Sequence, residues 1–119
     1  MKVLFIEPGK APVEKDIPRT LDAMQEMVGG TVQAIYPFDD LVALLCNDDG
    51  KLLGLPMNRA VYESSDIICG PFAIVGAPPG ADSFTSLTED QIQKYAKRFR
   101  SPEQFLPIGG AVFVLPDTL

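Results

Sequence analysis

Leu41-Val42-Ala43-Leu44-Leu45-Cys46-Asn47-Asp48-Asp49-Gly50-Lys51-Leu52-Leu53-Gly54-Leu55 is the stretch that decides the fold. Residues 41–46 are continuously apolar, which suits a strand buried on both faces of a sheet. Asn47-Asp48-Asp49-Gly50 then supplies turn residues, and 51–55 is apolar again after Lys51. Two apolar runs joined by an Asp-Gly turn are a hairpin signal, so the local pairing is antiparallel. The same four residues imitate the start of a calcium loop, but the later ligands and closing Glu are missing. A turn is the reading adopted.

Outward from this centre the punctuation is clear. Residues 2–7 read as an apolar strand closed by Pro8-Gly9, and 13–17 as a short return strand. Thr20 is a helix N-cap, Leu21, Met24, Met27 and Val28 share one helical face, and Gly29-Gly30 is the stop. Residues 31–36 form a strand ended by Pro37. On the other side, 54–60 leaves the sheet as a loop, Val61-Tyr62 resumes a strand, and Glu63-Ser64-Ser65-Asp66 turns again. The longest extended stretch is 67–77, in which Gly70-Pro71 predicts a bulge or an edge position because proline donates no ladder bond.

Thr88 and Gln91 make a capping box, with Leu87 and Ile92 placed as a hydrophobic staple. Ile92, Tyr95, Ala96 and Phe99 continue one apolar helical stripe to a stop before Pro102. The final run from Ala111 to Leu115 is a strand that completes the sheet or pairs with another copy, making a homodimer. The order of elements lacks the regular strand–helix alternation of a parallel fold. It predicts a single α+β domain over residues 1–119, a mainly antiparallel sheet of about five to seven strands with two helices packed on one face.

Composition removes many mechanisms. The 119 residues contain no histidine, two cysteines and a net charge of −6. Histidine-based nucleophilic sites and relays are therefore absent from the chain, and two thiols cannot close a four-thiolate zinc site. The acidic balance disfavours nucleic-acid and anionic-membrane partners. It is uneven, with six bases against 14 acids over 1–93 and four against two over 94–119. Lys94, Lys97 and Arg98 read as the solvated end of a helix, where cations suit the dipole. The opening apolar run is too short for a signal peptide, and no other run approaches a membrane span. A cytoplasmic protein with buried, reduced Cys46 and Cys69 is expected.

Three polar clusters are candidates for chemistry. Asn58-Arg59 follows Gly54-Leu55-Pro56, and with Lys10 would present a guanidinium fork and an amide to an anion such as a phosphorylated ligand. The structural alternative pairs Arg59 with Asp39, Asp40 or Glu63. Asp39 and Asp40, beside Glu7 and Lys10, would bind a ligand, run acid–base chemistry or hold a metal, or else serve as turn and cap residues. Asp82-Ser83-Phe84-Thr85-Ser86 precedes a helix and would meet an anion there, or simply supply turn hydrogen bonds. No cofactor, metal centre or catalytic residue is assigned.

Seven segments stand in order along the chain: Glu7-Pro8-Gly9-Lys10, Val28-Gly29-Gly30, Tyr36-Pro37-Phe38-Asp39-Asp40, Cys46-Asn47-Asp48-Asp49-Gly50-Lys51-Leu52, Gly54-Leu55-Pro56-Met57-Asn58-Arg59-Ala60, Asp66-Ile67-Ile68-Cys69-Gly70-Pro71-Phe72 and Asp82-Ser83-Phe84-Thr85-Ser86-Leu87. Together they resemble the family called domain of unknown function 3846, over roughly residues 1–100. Pro71 replaces a commoner Thr, and the apolar extension over 101–119 lies outside the resemblance. The resemblance implies a Gram-positive bacterial, phage or mobile-element setting and carries no activity. The expectation is a small binding or interaction protein, non-enzymatic, with a protein or small anionic ligand as partner. A binder of nucleotides or other phosphorylated ligands is the alternative, and a metal-dependent hydrolase on Glu7, Asp39 and Asp40 ranks third.

Overall fold

Period-two alternation sorts the side chains of the central strands onto two separate cores. In the computed structural model, which describes residues 1–117, the chain runs β1 (Lys2–Ile6), β2 (Val13–Asp16), α1 (Leu21–Val28), β3 (Val32–Ile35), β4 (Val42–Asn47), β5 (Met57–Val61), a 3-10 turn at Tyr62–Ser64, β6 (Asp66–Cys69), β7 (Phe72–Gly76), α2 (Glu89–Arg98), β8 (Glu103–Ile108) and β9 (Ala111–Pro116). Five strands form one sheet in the order β2-β1-β7-β4-β3, and β5-β6 and β8-β9 are separate two-stranded ribbons. Every pairing in the five-stranded sheet is antiparallel. The α+β class and the antiparallel sheet are as the sequence predicts.

The placement of the helices is not. Val3, Ala43, Leu45 and Val75 face Met24 and Met27 of α1. Leu4, Ile6, Leu44, Phe72 and Ile74 face Ile92, Tyr95 and Phe99 of α2, together with Val61 and Ile68 of the β5–β6 ribbon. The two helices therefore cover opposite faces. The reason is topological as well as compositional. Helix α1 joins β2 to β3, the two outer strands, so it must cross a whole face. Strand β4 is buried at every position, and a strand apolar on both sides needs cover on both.

Local chemistry sets the ends of each helix. Thr20 accepts from the Ala23 N–H at the start of α1, and Gly29 closes it in the left-handed conformation at φ 76. Thr88 and Gln91 complete the capping box of α2 reciprocally. Aromatic contacts then hold α2 in place: Phe99 meets Phe72 of β7 edge-to-face with centroids 5.3 Å apart, and Tyr95 meets Phe38 of the β3–β4 connection as a tilted pair with centroids 5.0 Å apart.

Four sequence expectations are corrected. Residues 51–55 form no strand, because both edges of β4 are already taken by β3 and β7. The chain after Asn47 instead coils through Gly50 and Gly54 in successive turns. Residues 57–60, expected as loop, run together with Val61 in strand β5. Gly70-Pro71 is no bulge within one strand but the break between β6 and β7, which belong to different sheets. Finally, β9 pairs with β8 in its own chain, register Phe105 opposite Val114 and Leu106 opposite Phe113, and does not complete the main sheet.

Candidate functional site

Strand β5 carries Asn58 and Arg59 into the interior, so the two residues proposed for anion binding are buried, Arg59 to 1% exposure. Asn58 Nδ2 donates to Ile6 O and to Gly70 O, each at 2.9 Å, and its Oδ1 accepts from Arg59 Nη1 at 2.9 Å. Arg59 Nη1 also donates to Asn58 O, Nη2 donates to Lys10 O and Phe99 O, and Nε donates to Phe99 O. These contacts use all five guanidinium N–H groups. Burial pulls the Arg59 pKa below its ordinary value while the nearby Glu103 carboxylate pushes it up. The group stays cationic, solvated by carbonyl oxygens in place of water.

The structure thus brings Asn58, Arg59 and Lys10 together, but through main-chain atoms. The Lys10 ammonium points away to Glu7 at 3.2 Å. No carboxylate among the described residues forms an ion pair with Arg59. Glu63 pairs with Arg98 at 3.1 Å, and Asp40 pairs with Lys94 at 3.3 Å. What the pair does is stitch four places: the end of β1, the loop after it, the β6–β7 break and the C-terminus of α2. No donor remains for a ligand.

Asp40 belongs to a second network. Its Oδ2 accepts from the Tyr95 hydroxyl at 2.8 Å and its Oδ1 from its neighbour Leu41 N at 2.7 Å, with Gln91 Nε2 at 3.4 Å. Desolvation pushes the Asp40 carboxyl up, but the Tyr95, Leu41, Lys94 and Gln91 donors outweigh it and hold it below the usual range. Burial, then Asp40 itself, raises the Tyr95 pKa. Asp39 lines an adjoining cleft of about 310 Å³ with Phe38, Lys94 and Arg98. Among the described residues no three Cys, Asp or Glu side chains gather to hold a metal ion.

Two further hollows complete the picture. Cys46 and Cys69 are unbridged and line a hollow of about 160 Å³. Burial, with Asp66 and Asp48, pushes the Cys46 thiol up to about 11, so it is protonated and unreactive at neutral pH. A groove of about 560 Å³ lies between Arg19, Met24, Tyr36, Asp82, Ser83 and Phe84. Arg19 is exposed there and has no ion pair among the described residues. This groove absorbs part of the Asp82–Ser86 segment, whose Ser86 hydroxyl is spent on the Lys2 N–H at 2.9 Å. Nothing in the sequence marks Arg19, because Pro18-Arg19-Thr20 reads only as the lead-in to a helix.

The C-terminal ribbon has the opposite character. Residues 104–116 carry no charge. Leu106, Ile108, Phe113 and Leu115 are exposed, Ile108 to 58% and Phe113 to 52%. Strand register puts these four on one face, because Gln104–Leu115, Leu106–Phe113 and Ile108–Ala111 are successive same-side pairs. Glu103 Oε1 anchors the base of the ribbon by accepting from Ala60 N at 2.7 Å. The two glycines at its tip, Gly109 and Gly110, both have positive φ, as a two-residue hairpin turn requires.

Among the described residues no helix is long and apolar enough to cross a membrane. No curated protein and no solved structure matches the chain. A family model does match, over residues 1–100, taking in the five-stranded sheet, both helices and the Asn58–Arg59 network, and stopping before β8. The chain belongs to the family described as domain of unknown function DUF3846.

Proposed function

We propose that this protein works by binding and not by turnover, with the β8–β9 ribbon as its docking element. The observation that carries this reading is the uncharged run 104–116, which holds four large apolar side chains on one exposed face. A lone two-stranded hairpin is marginal in water, and exposed apolar patches of this kind mark interaction sites. The absence of histidine and of any nucleophile–base pair supports a non-enzymatic role. We place the protein in the cytoplasm, among the accessory proteins of Gram-positive bacteria, their phages and mobile elements. Two unbridged thiols support the compartment, and the family resemblance supports the setting. A photo-crosslinking amino acid at Phe113 tests the docking role in cells, with the exposed Tyr62 as control position. A discrete protein adduct from position 113 and none from 62 is expected. Absence of any adduct at 113 overturns it.

A second reading takes the groove at Arg19 as a site for a small phosphorylated ligand. It is favoured by an exposed guanidinium with no ion pair among the described residues, in a hollow that Tyr36 and Phe84 also line. Nucleotides should then raise the melting temperature, and Arg19→Ala should abolish the rise while Lys97→Ala keeps it.

A further inference from the structure

We infer that the docking partner of the ribbon is a second copy of this chain, joined through the outer edge of β9 with Phe113 opposite its own image. This rests on the reading of the ribbon as a docking element and names its partner.

Hydrogen-bond parity identifies the free edge. Asp117 N donates to Pro102 O at 2.7 Å, one pair beyond the base of the ribbon. Antiparallel ladders alternate, so the bonded pairs are Gln104–Leu115, Leu106–Phe113 and Ile108–Ala111. The other three pairs point their polar groups outward. On β8 these belong to Glu103, Phe105 and Pro107, beside the body at one end and lacking an N–H at the other. On β9 they belong to Val112, Val114 and Pro116. Among the described residues the ribbon has no third strand, so there the N–H and C=O groups of Val112 and Val114 have no ladder partner.

A second β9 laid antiparallel, with Phe113 facing Phe113, puts Val112 opposite Val114 of the copy and Val114 opposite its Val112. Each of these two pairs exchanges two hydrogen bonds, and neither Pro116 is asked for an N–H. The contact is isologous and closes as a two-fold dimer with a four-stranded sheet. Phe113 falls at a non-hydrogen-bonded pair, where opposed Cα atoms approach to about 4.5 Å and the side chains touch. Shifting so that Val114 faces Val114 would set Val112 opposite the copy's Pro116, leaving a carbonyl of each chain without its donor.

Charge argues for the same partner. A chain of net charge −6 repels its copy over most of its surface, and the ribbon is where two copies meet without opposing like charges. Four side chains, each about half exposed, make a face well short of the roughly 800 Å² per partner in a standard stable interface. The dimer is therefore dissociable, and its population depends on concentration.

Sedimentation velocity on the full chain, from low-micromolar to near-millimolar concentration, reads the association directly. The expected mass climbs from one chain toward two. Val114→Pro removes an outward N–H that the ribbon itself does not use, and should weaken the association at least tenfold with the melting temperature unchanged. Phe113→Cys, treated with oxidised glutathione, should form a disulfide-linked dimer far faster than Leu115→Cys, because only position 113 meets its own image. A single-chain mass at every concentration, or equal crosslinking at both positions, overturns the inference. Should position 113 then crosslink in cells to a different protein, the docking role stands with another partner. Should it crosslink to nothing, both fail.

Discussion

The Asn58–Arg59 pair and the β8–β9 ribbon are built on opposite terms. The pair is polar and buried, and each of its donors ends on a carbonyl or amide oxygen of this chain. The ribbon is apolar and exposed, and one edge of it pairs with no strand among the described residues. A polar group taken out of water must be satisfied, so burial of Arg59 is intelligible only as architecture. An apolar face left in water has no such internal account. The contrast separates what holds the fold from what is available to a partner, and it inverts the usual expectation that the charged residue marks the function.

The strongest way to break that contrast is to remove the guanidinium. Arg59→Ala leaves the Phe99 and Lys10 carbonyls without their donors and opens a cavity, a loss of about 3–5 kcal/mol. Urea unfolding should show a large fall in midpoint. Arg59→Lys keeps the charge but offers three donors for five positions, and should recover only part of the loss. An unchanged midpoint in Arg59→Ala would return Arg59 to the list of functional residues.

Tyr95 gives the next largest effect and adds a pH signature. Tyr95→Phe removes a part-buried hydrogen bond to a carboxylate, about 1–3 kcal/mol. The Asp40 carboxyl lies below its ordinary value in the folded protein, so its stabilisation is present above about pH 4 and is lost as pH falls through the folded value. Tyr95 is raised, so its contribution is present below about pH 10 and is lost as pH rises further. Thermal unfolding across pH should show both limbs in the wild type. In Tyr95→Phe the acid limb should shrink, because Asp40 relaxes toward its ordinary value, and the Tyr95 share of the alkaline limb should vanish.

Legibility in the sequence follows the range of the interaction. Thr20, Thr88 and Gln91 announce both helix starts because a cap spans only three residues. The central strand over 41–46 is legible from its unbroken apolar run, and that run already demands cover on both faces, against two helices on one. The role of Arg59 was not legible, because its acceptors Phe99 O and Lys10 O lie 40 and 49 residues away in the chain. Nor does a strand holding Asn58 and Arg59 between apolar neighbours show the alternation that would reveal β5, because both polar residues are buried. Strand β8 was hidden by Pro107, which sits at an outward pair and so costs no ladder bond.

The smallest expected effect tests the other side of the comparison. Replacing Leu106 and Phe113 together by Ser changes two exposed, cross-strand side chains that touch no part of the two cores. At concentrations where single chains dominate, the unfolding midpoint of the body should move by no more than about 0.5 kcal/mol, the range of ordinary surface changes. The urea m-value should also hold, since the surface exposed on unfolding of the body is unaltered. A loss above about 1 kcal/mol would mean that these side chains serve the fold of the single chain. The apolar face would then be structural like Arg59, and the docking role would lose its main support. With the midpoint unmoved, the cost of keeping Leu106 and Phe113 in water is met only where a partner covers them.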